Sequence, residues 1–195
     1  MSPAFICINN VQEEESLMPM LTKFLDSHPF LKKGEAYFIV DFLRKLPKNP
    51  TILEIGTFRG MTAILMAQQR KDARVYTIDS HIGLLNYHQL TSSVELVNLN
   101  IIKYGVVDRV IHIPKSSQLY DPSDIAPIDL LFIDGDHSFS GVSHDYSKFE
   151  PFVRQGGYII FHDHLSHKGV TEFCHRLISC RKVWTLYSLF IIRKP

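Results

Sequence analysis

Six side chains that can move protons or hold a cation fall in two short stretches, "FIDGDH" and "FHDH": Asp134, Asp136 and His137 in one, His162, Asp163 and His164 in the other. Each stretch closes an apolar run of the kind that forms a buried strand, so both sets are expected at the ends of neighbouring strands. Three carboxylates in one cleft need compensation. At ~5 Å separation and an effective dielectric near ~20, each ionised pair repels by roughly 3 kcal/mol before screening. A divalent cation, a raised pKa or the positive charge of a bound ligand would relieve it. Two carboxylates with an imidazole nearby suit Mg²⁺ or Mn²⁺. An imidazole with an unperturbed pKa of ~6.5 also suits proton transfer near neutrality. The alternative is a strand-end histidine that only packs.

A second stretch, "ILEIGTFRG", ends a strand-like run with Glu54 and then sets Gly56 and Gly60 four residues apart. A strand-to-helix turn of this kind lets the backbone approach a ligand and leaves helix N-terminal amides free to meet negative charge. A dinucleotide fingerprint would read G-x-G-x-x-G, whereas this turn reads G-x-x-x-G with bulky Phe58 in the middle, which disfavours a pyrophosphate cradle. The next strand-like run, "VYTIDS", ends in Asp79, where an acid accepts hydrogen bonds from both ribose hydroxyls. Turn and acid together imply a nucleoside ligand that lacks a pyrophosphate.

The elements that must carry these residues alternate after Pro50. "TILEIG", "RVYTIDS", "RVIHIPKS", "IDLLFIDGD" and "GGYIIFHD" read as strands, separated by helices over 59–70, 92–104 and 141–153 and followed by one over 170–179. Repeated βα units build a parallel sheet covered by helices on both faces. "KVWTLYSLFIIRK" has no room for a crossover helix and closes as two antiparallel strands. The expected fold is α/β: a Rossmann-like, doubly wound, mostly parallel seven-stranded sheet with an antiparallel C-terminal edge hairpin and N-terminal helices. Residues 1–195 are expected to form a single domain, with 1–50 as a helical cap and 51–195 as the α/β core. In such sheets ligands bind beyond the carboxyl ends of the strands, where the crossovers diverge.

Composition narrows the partners. With 195 residues, 45% of them hydrophobic, the chain fills one core comfortably. Its 21 basic and 20 acidic residues leave a net charge of +1, with no general pull toward nucleic acid or an anionic membrane. No apolar run reaches the ~20 residues of a membrane span, and the start lacks the basic and apolar regions of a signal peptide, so a cytoplasmic location is expected. Cys7, Cys174 and Cys180 have no metal-ligand spacing and read as reduced, structural thiols.

Taken together, "ILEIGTFRGMTAILMA", "VYTIDS", "PKSSQ" and "IDLLFIDGDHSFSGVSHDY…GGYIIFHDH" resemble the Rossmann-like S-adenosylmethionine-dependent methyltransferases, from about residue 34 onward. Within them the chain is most similar to small-molecule O-methyltransferases of the catechol and macrolide-sugar types. The resemblance implies S-adenosylmethionine as cofactor, with Glu54, Gly56, Thr57, Phe58 and Gly60 lining its turn and Thr62 holding the methionine carboxylate. Asp79 and Ser80 would meet the ribose, Ser117 and Gln118 the adenine, and Asp134 the methionine amino group. The sulfonium then supplies positive charge beside the carboxylates.

For catalysis the resemblance implies His137 or Asp136 as the base that deprotonates the acceptor. Asp134 and Asp163 are implied ligands of Mg²⁺ or Mn²⁺. His162 stands among them where this chain departs from the family's oxygen donors, which favours a softer metal or none. The expected partner is a small-molecule acceptor, shielded by the loop 80–93 with Leu84, Leu85 and Tyr87 and flanked by His81 and His88. The apolar N-terminal helices either cap the sheet or serve a homodimer interface. Two other readings compete: an NAD-dependent oxidoreductase, opposed by the missing glycine position and by Phe58, and a non-catalytic nucleoside-binding module.

Overall fold

The fold was analysed on a computed structural model, which describes residues 22, 24–25, 31–82, 93–178 and 183–195. Five strands alternate with helices: β1 (Thr51–Ile55), β2 (Arg74–Ile78), β3 (Val110–Ile113), β4 (Ile128–Ile133) and β5 (Val153–Phe161). The helices are α1 (Lys33–Leu43), α2 (Met61–Gln69), α3 (Ser93–Lys103), α4 (Phe139–Phe149) and α5 (Lys168–Ile178). The chain then forms the hairpin β6 (Val183–Leu186) and β7 (Leu189–Arg193).

The seven strands lie in the order β3-β2-β1-β4-β5-β7-β6. The first five are parallel, while β7 pairs antiparallel with both β5 and β6. The expected doubly wound sheet with a C-terminal edge hairpin is what forms. Winding runs outward from β1 to β3 and then restarts at β4 on the other side of β1. The reversal opens a crevice above the β1–β4 pair, the place where open α/β sheets bind ligands.

Period-two alternation decides which helix covers which face. Ile52, Val75, Leu130, Phe132 and Ile160 point to the face packed by α1, α2 and α3. Leu53, Ile55, Leu131, Ile133, Ile159 and Phe161 point to the other, packed by α4 and α5. Both faces are dry, which is why the strands read as continuous apolar runs. Among the described residues no helix is long and apolar enough to cross a membrane.

Two boundaries differ from the sequence expectation. The helix expected over 141–153 begins at Phe139, because the Ser138 side chain caps it by accepting from Gly141 N at 3.0 Å. It stops at Phe149, where Pro151 sits in a single 3₁₀ turn. β5 therefore starts at Val153, ahead of the glycines, and its pairing with β4 shifts register between Ile128 and Leu130. Of the cysteines, Cys174 is buried, and burial pushes its thiol up to about 12, as a structural thiol requires. Cys7 and Cys180 lie outside the described residues, as do Leu84, Leu85, Tyr87 and His88 of the acceptor-facing loop.

Gly56 is the residue that lets β1 and β4 end side by side. Its φ of +99° is strained for any residue with a Cβ, and a Cβ there would collide with the carbonyl oxygen of Asp134. Gly56→Ala should therefore lower the unfolding free energy by about 2–4 kcal/mol, combining backbone strain and overpacking. Urea denaturation of both proteins measures this, and a loss below about 1 kcal/mol would mean that the turn relaxes freely.

Candidate active site

The crevice is a cleft of about 860 Å³ between the ends of β1, β2, β4 and β5. Gly56, Phe58, Asp79, Ser80, Ser117 and Gln118 line one part of it; Asp134, Asp136, His137, His162 and Asp163 line the other. Most of the side chains expected at the site are thus brought together. Glu54, Thr57, Gly60 and Thr62 are not among the lining residues.

The absent four serve from beneath or beside. Glu54 is buried and accepts a hydrogen bond from Thr77 Oγ1, which in turn shares one of 2.6 Å with Thr57 Oγ1. Burial raises the Glu54 carboxyl well above the usual range, and the nearby charges of Asp134 and Asp79 raise it further. Burial thus favours its neutral, protonated form under the turn. Gly60 takes the left-handed conformation as the N-cap of α2, and Thr62 sits half-buried just inside that helix.

Asp79 holds the nucleoside side of the cleft in shape. Its Oδ2 accepts from Phe58 N at 2.9 Å and its Oδ1 from His81 N at 2.7 Å. A carboxylate accepts about four hydrogen bonds, so each oxygen keeps capacity toward the cleft. Phe58 is itself in the left-handed region with φ +47°, a conformation the Asp79 bond helps to fix. Across the cleft, Ser117 Oγ donates to Asp145 Oδ1 at 2.7 Å, and Lys148 Nζ donates to the Gln118 carbonyl at 2.7 Å. These bonds pin the 116–118 loop to α4. A glycine turn, a two-oxygen acid and a polar loop around one cleft fit an adenosine-bearing ligand.

The acidic side is organised by parallel register. Ile133 pairs with Phe161, so Asp134 and His162 leave adjacent strands at the same level. His162 Nδ1 lies 3.1 Å from Asp134 Oδ1 and 3.5 Å from Asp163 Oδ2, and its Nε2 lies 3.3 Å from Glu35 Oε2. His137 Nε2 lies 3.4 Å from both Asp134 Oδ1 and Asp163 Oδ2. His137 also stacks on His167, with ring centroids 4.1 Å apart.

These contacts set the charges. Hydrogen bonds to Asp134 and Asp163 raise His137 to about 9, against the opposing effect of burial. The premise that His137 keeps an ordinary imidazole pKa therefore fails: with no ion beside it, it is a cation at neutral pH. Burial works against the charge on His162, but hydrogen bonds to Asp134, Asp163 and Glu35 overcome it and raise its pKa strongly. The same two histidines hold the Asp163 carboxyl far below its ordinary value.

One expected member is not there. His164 is buried against Phe190 and His175, away from the cleft lining. Asp163 adopts φ +58°, which breaks the strand alternation and sends the next side chain to the core. Three members were not anticipated, and one of them is His167, which lines the cleft just ahead of α5. Asp145 faces the cleft from α4, and Glu35 reaches His162 from α1.

The donors also decide which ion the site suits. Mg²⁺ prefers an oxygen shell that keeps several waters, whereas this site offers imidazole nitrogens between its carboxylates. Such a mixed set suits a first-row transition ion.

Comparison with known proteins agrees with this fold. A protein of Acanthamoeba polyphaga mimivirus, "Uncharacterized protein R132", is 33% identical over 126 residues, covering 60% of this chain and 53% of its own length. The chain thus spans about half the length of that curated relative. Among solved structures, the O-methyltransferase NovP superposes with a TM-score of 0.67 at 19% identity, covering 83% of this chain and 80% of its own. An O-methyltransferase from Bacillus cereus in complex with SAH superposes with a TM-score of 0.64 at 18% identity, covering 96% and 92%. These likenesses are of fold. The family model described as "Methyltransferase domain" matches residues 53–164, from β1 through the FHDH stretch, and the chain belongs to that methyltransferase family, Methyltransf_24.

Proposed function

We propose that the protein transfers a methyl group from S-adenosylmethionine to a hydroxyl oxygen of a small molecule. The observation that carries this reading is the cleft itself. A ribose-competent Asp79 lies on one side, a charge-balanced His–Asp cluster lies on the other, and the Gly56 turn lies between them. The cofactor, when bound, supplies an electrophilic methyl on a sulfonium; the chain's residues align donor and acceptor and move the acceptor's proton.

Gly56 and Phe58 form the floor of the nucleoside half, Asp79 and Ser80 receive the ribose, and Ser117 and Gln118 border the base. Asp134 faces the methionine amino group, which adds a positive partner to a carboxylate already held by His137 and His162. Glu54, Thr57, Gly60 and Thr62 shape the turn from below and beside. The acceptor hydroxyl enters over the ends of β4 and β5.

Of the two candidate bases, His137 carries a proton in the ion-free site and therefore stabilises the oxyanion that develops on the acceptor. Asp136 is exposed at the start of the α4 turn, with Oδ1 accepting from Ser138 N at 2.9 Å and Oδ2 from Ser138 Oγ at 3.0 Å. It keeps acceptor capacity and takes the proton. Asp134, Asp163 and His162 are the residues that would hold a divalent ion, whose chemistry would be to polarise the acceptor oxygen.

Calorimetry with S-adenosylhomocysteine tests the cofactor half. Binding is expected, and Asp79→Ala should weaken it ~10–100-fold, the equivalent of about 1.5–3 kcal/mol for lost hydrogen bonds to a charged group. Absence of heat from a folded sample overturns the reading, as would binding of NADH in its place. For the chemistry, S-adenosylmethionine turnover should be screened against phenols, vicinal diols and sugar hydroxyls. With any acceptor found, Asp136→Asn should lower kcat by ~10²–10⁴-fold without changing S-adenosylhomocysteine affinity. Unchanged turnover would remove Asp136 from the proton path.

A further inference from the structure

The core-facing stripe of α4 holds a carboxylate that methyl transfer itself does not use. Gly141, Val142, Asp145 and Phe149 are the buried members of that helix, a spacing that ordinarily turns apolar side chains toward a sheet. Asp145 is only 3% exposed, yet it also lines the cleft. Withdrawing a carboxylate from water is costly unless its oxygens are met by donors. Burial raises the Asp145 carboxyl above its usual range, and the hydrogen bond from Ser117 works against that shift.

Only one of the two oxygens is met. Oδ1 accepts from Ser117 Oγ at 2.7 Å, while among the described residues Oδ2 has no hydrogen-bond partner. A Cβ built on Gly135 would stand 3.4 Å from Oδ2, so this oxygen lies beside the backbone that leaves β4. Gly135 and Ser117 both line the cleft, and Oδ2 is therefore an acceptor open to a donor there. The groups around it are less selective. The Ser117 hydroxyl and the Gln118 amide can each donate or accept, whereas an ionised carboxylate only accepts. The Lys148 ammonium is already engaged with the Gln118 carbonyl.

We propose that Asp145 recognises the exocyclic 6-amino group of the cofactor's adenine, so that the cleft selects a 6-aminopurine nucleoside over a 6-oxopurine one. Oδ2 accepts one amino hydrogen, and Ser117 holds the carboxylate in the orientation that presents it. In a 6-oxopurine the donor moves to the ring nitrogen, and the 6-position sets an oxygen against the carboxylate. Both acceptors are then left unpaired, the situation in which a polar site discriminates most strongly. The proposal rests on the methyl-transfer reading above, which assigns the base to the neighbourhood of Ser117 and Gln118.

The test is calorimetry on the full chain with S-adenosylhomocysteine and S-inosylhomocysteine, which carry amino and oxo groups respectively at purine position 6. Wild type should bind the inosyl compound ~100-fold more weakly. Asp145→Asn keeps an acceptor for Ser117 and sets an amide N–H₂ where Oδ2 stood, so it should cut that selectivity by ~10-fold or more. Asp79→Ala acts on the ribose common to both compounds; it should weaken both and leave their ratio as in wild type. Equal affinity of wild type for the two compounds overturns the proposal without recourse to a variant. So does Asp145→Asn that keeps the wild-type far-UV circular dichroism and weakens both compounds in equal proportion, the mark of a purely structural carboxylate. Absence of heat with either compound refutes the methyl-transfer reading and this proposal with it, whereas S-adenosylhomocysteine binding without selectivity refutes the role of Asp145 alone.

Discussion

Two neighbouring parallel strands in register must release their next residues at the same level, and around that level two carboxylates are brought to the same strand ends. Asp134 follows β4 and Asp163 follows β5, one residue beyond His162. Without compensation their repulsion would pry apart the strand ends that define the cleft. Much of the surrounding structure answers that problem. His137 returns from the start of the α4 turn to touch both acids, and His162 lies between them. Glu35 approaches His162 from behind and balances its charge in turn.

A different solution operates on the far side of the sheet centre. Glu54 lies in the dry interior, where burial first and the fields of Asp134 and Asp79 after it raise its pKa and favour the protonated form. Its hydroxyl chain through Thr77 to Thr57 gives Oε2 a partner without adding charge. The cleft therefore has a neutral floor at the turn and an ionic wall at β4 and β5. A cationic sulfur ligand is best accommodated between such surfaces, with its adenosine over the floor and its charged end toward the wall.

The fold was legible because each core strand is an apolar run bounded by a turn, and because strand and helix alternate without interruption through Ile178. The nucleoside half of the site was legible for the same reason: Gly56, Asp79 and Ser117 are all strand-end or post-strand residues, and topology alone gathers such positions. What escaped was whatever depends on contacts distant in sequence or on a single backbone torsion. Glu35 is 127 residues from His162 and 153 from Ser188, and in its own helix it looks like an ordinary first-turn acid. His164 leaves the set expected at the strand ends because the chain turns left-handed at Asp163, a torsion that residue types do not reveal. Thr62 had the right chemistry, but it lies inside α2 rather than at a strand end, and the cleft lining passes it by.

Glu35 and Ser188 join the first described helix to the turn of the C-terminal hairpin, and β7 is threaded between β5 and the edge strand β6. During synthesis on the ribosome, His162 emerges well before Ser188, so its imidazole has no complete orienting shell until the hairpin has cleared the exit tunnel and β7 has inserted. The other half of the cleft waits only for α4 and the end of β4, because Asp145 and Lys148 hold the 116–118 loop and the Gly56 turn packs against Asp134. The histidine wall is thus the last part of the cleft to be set, and it takes its final form only with the closing strand.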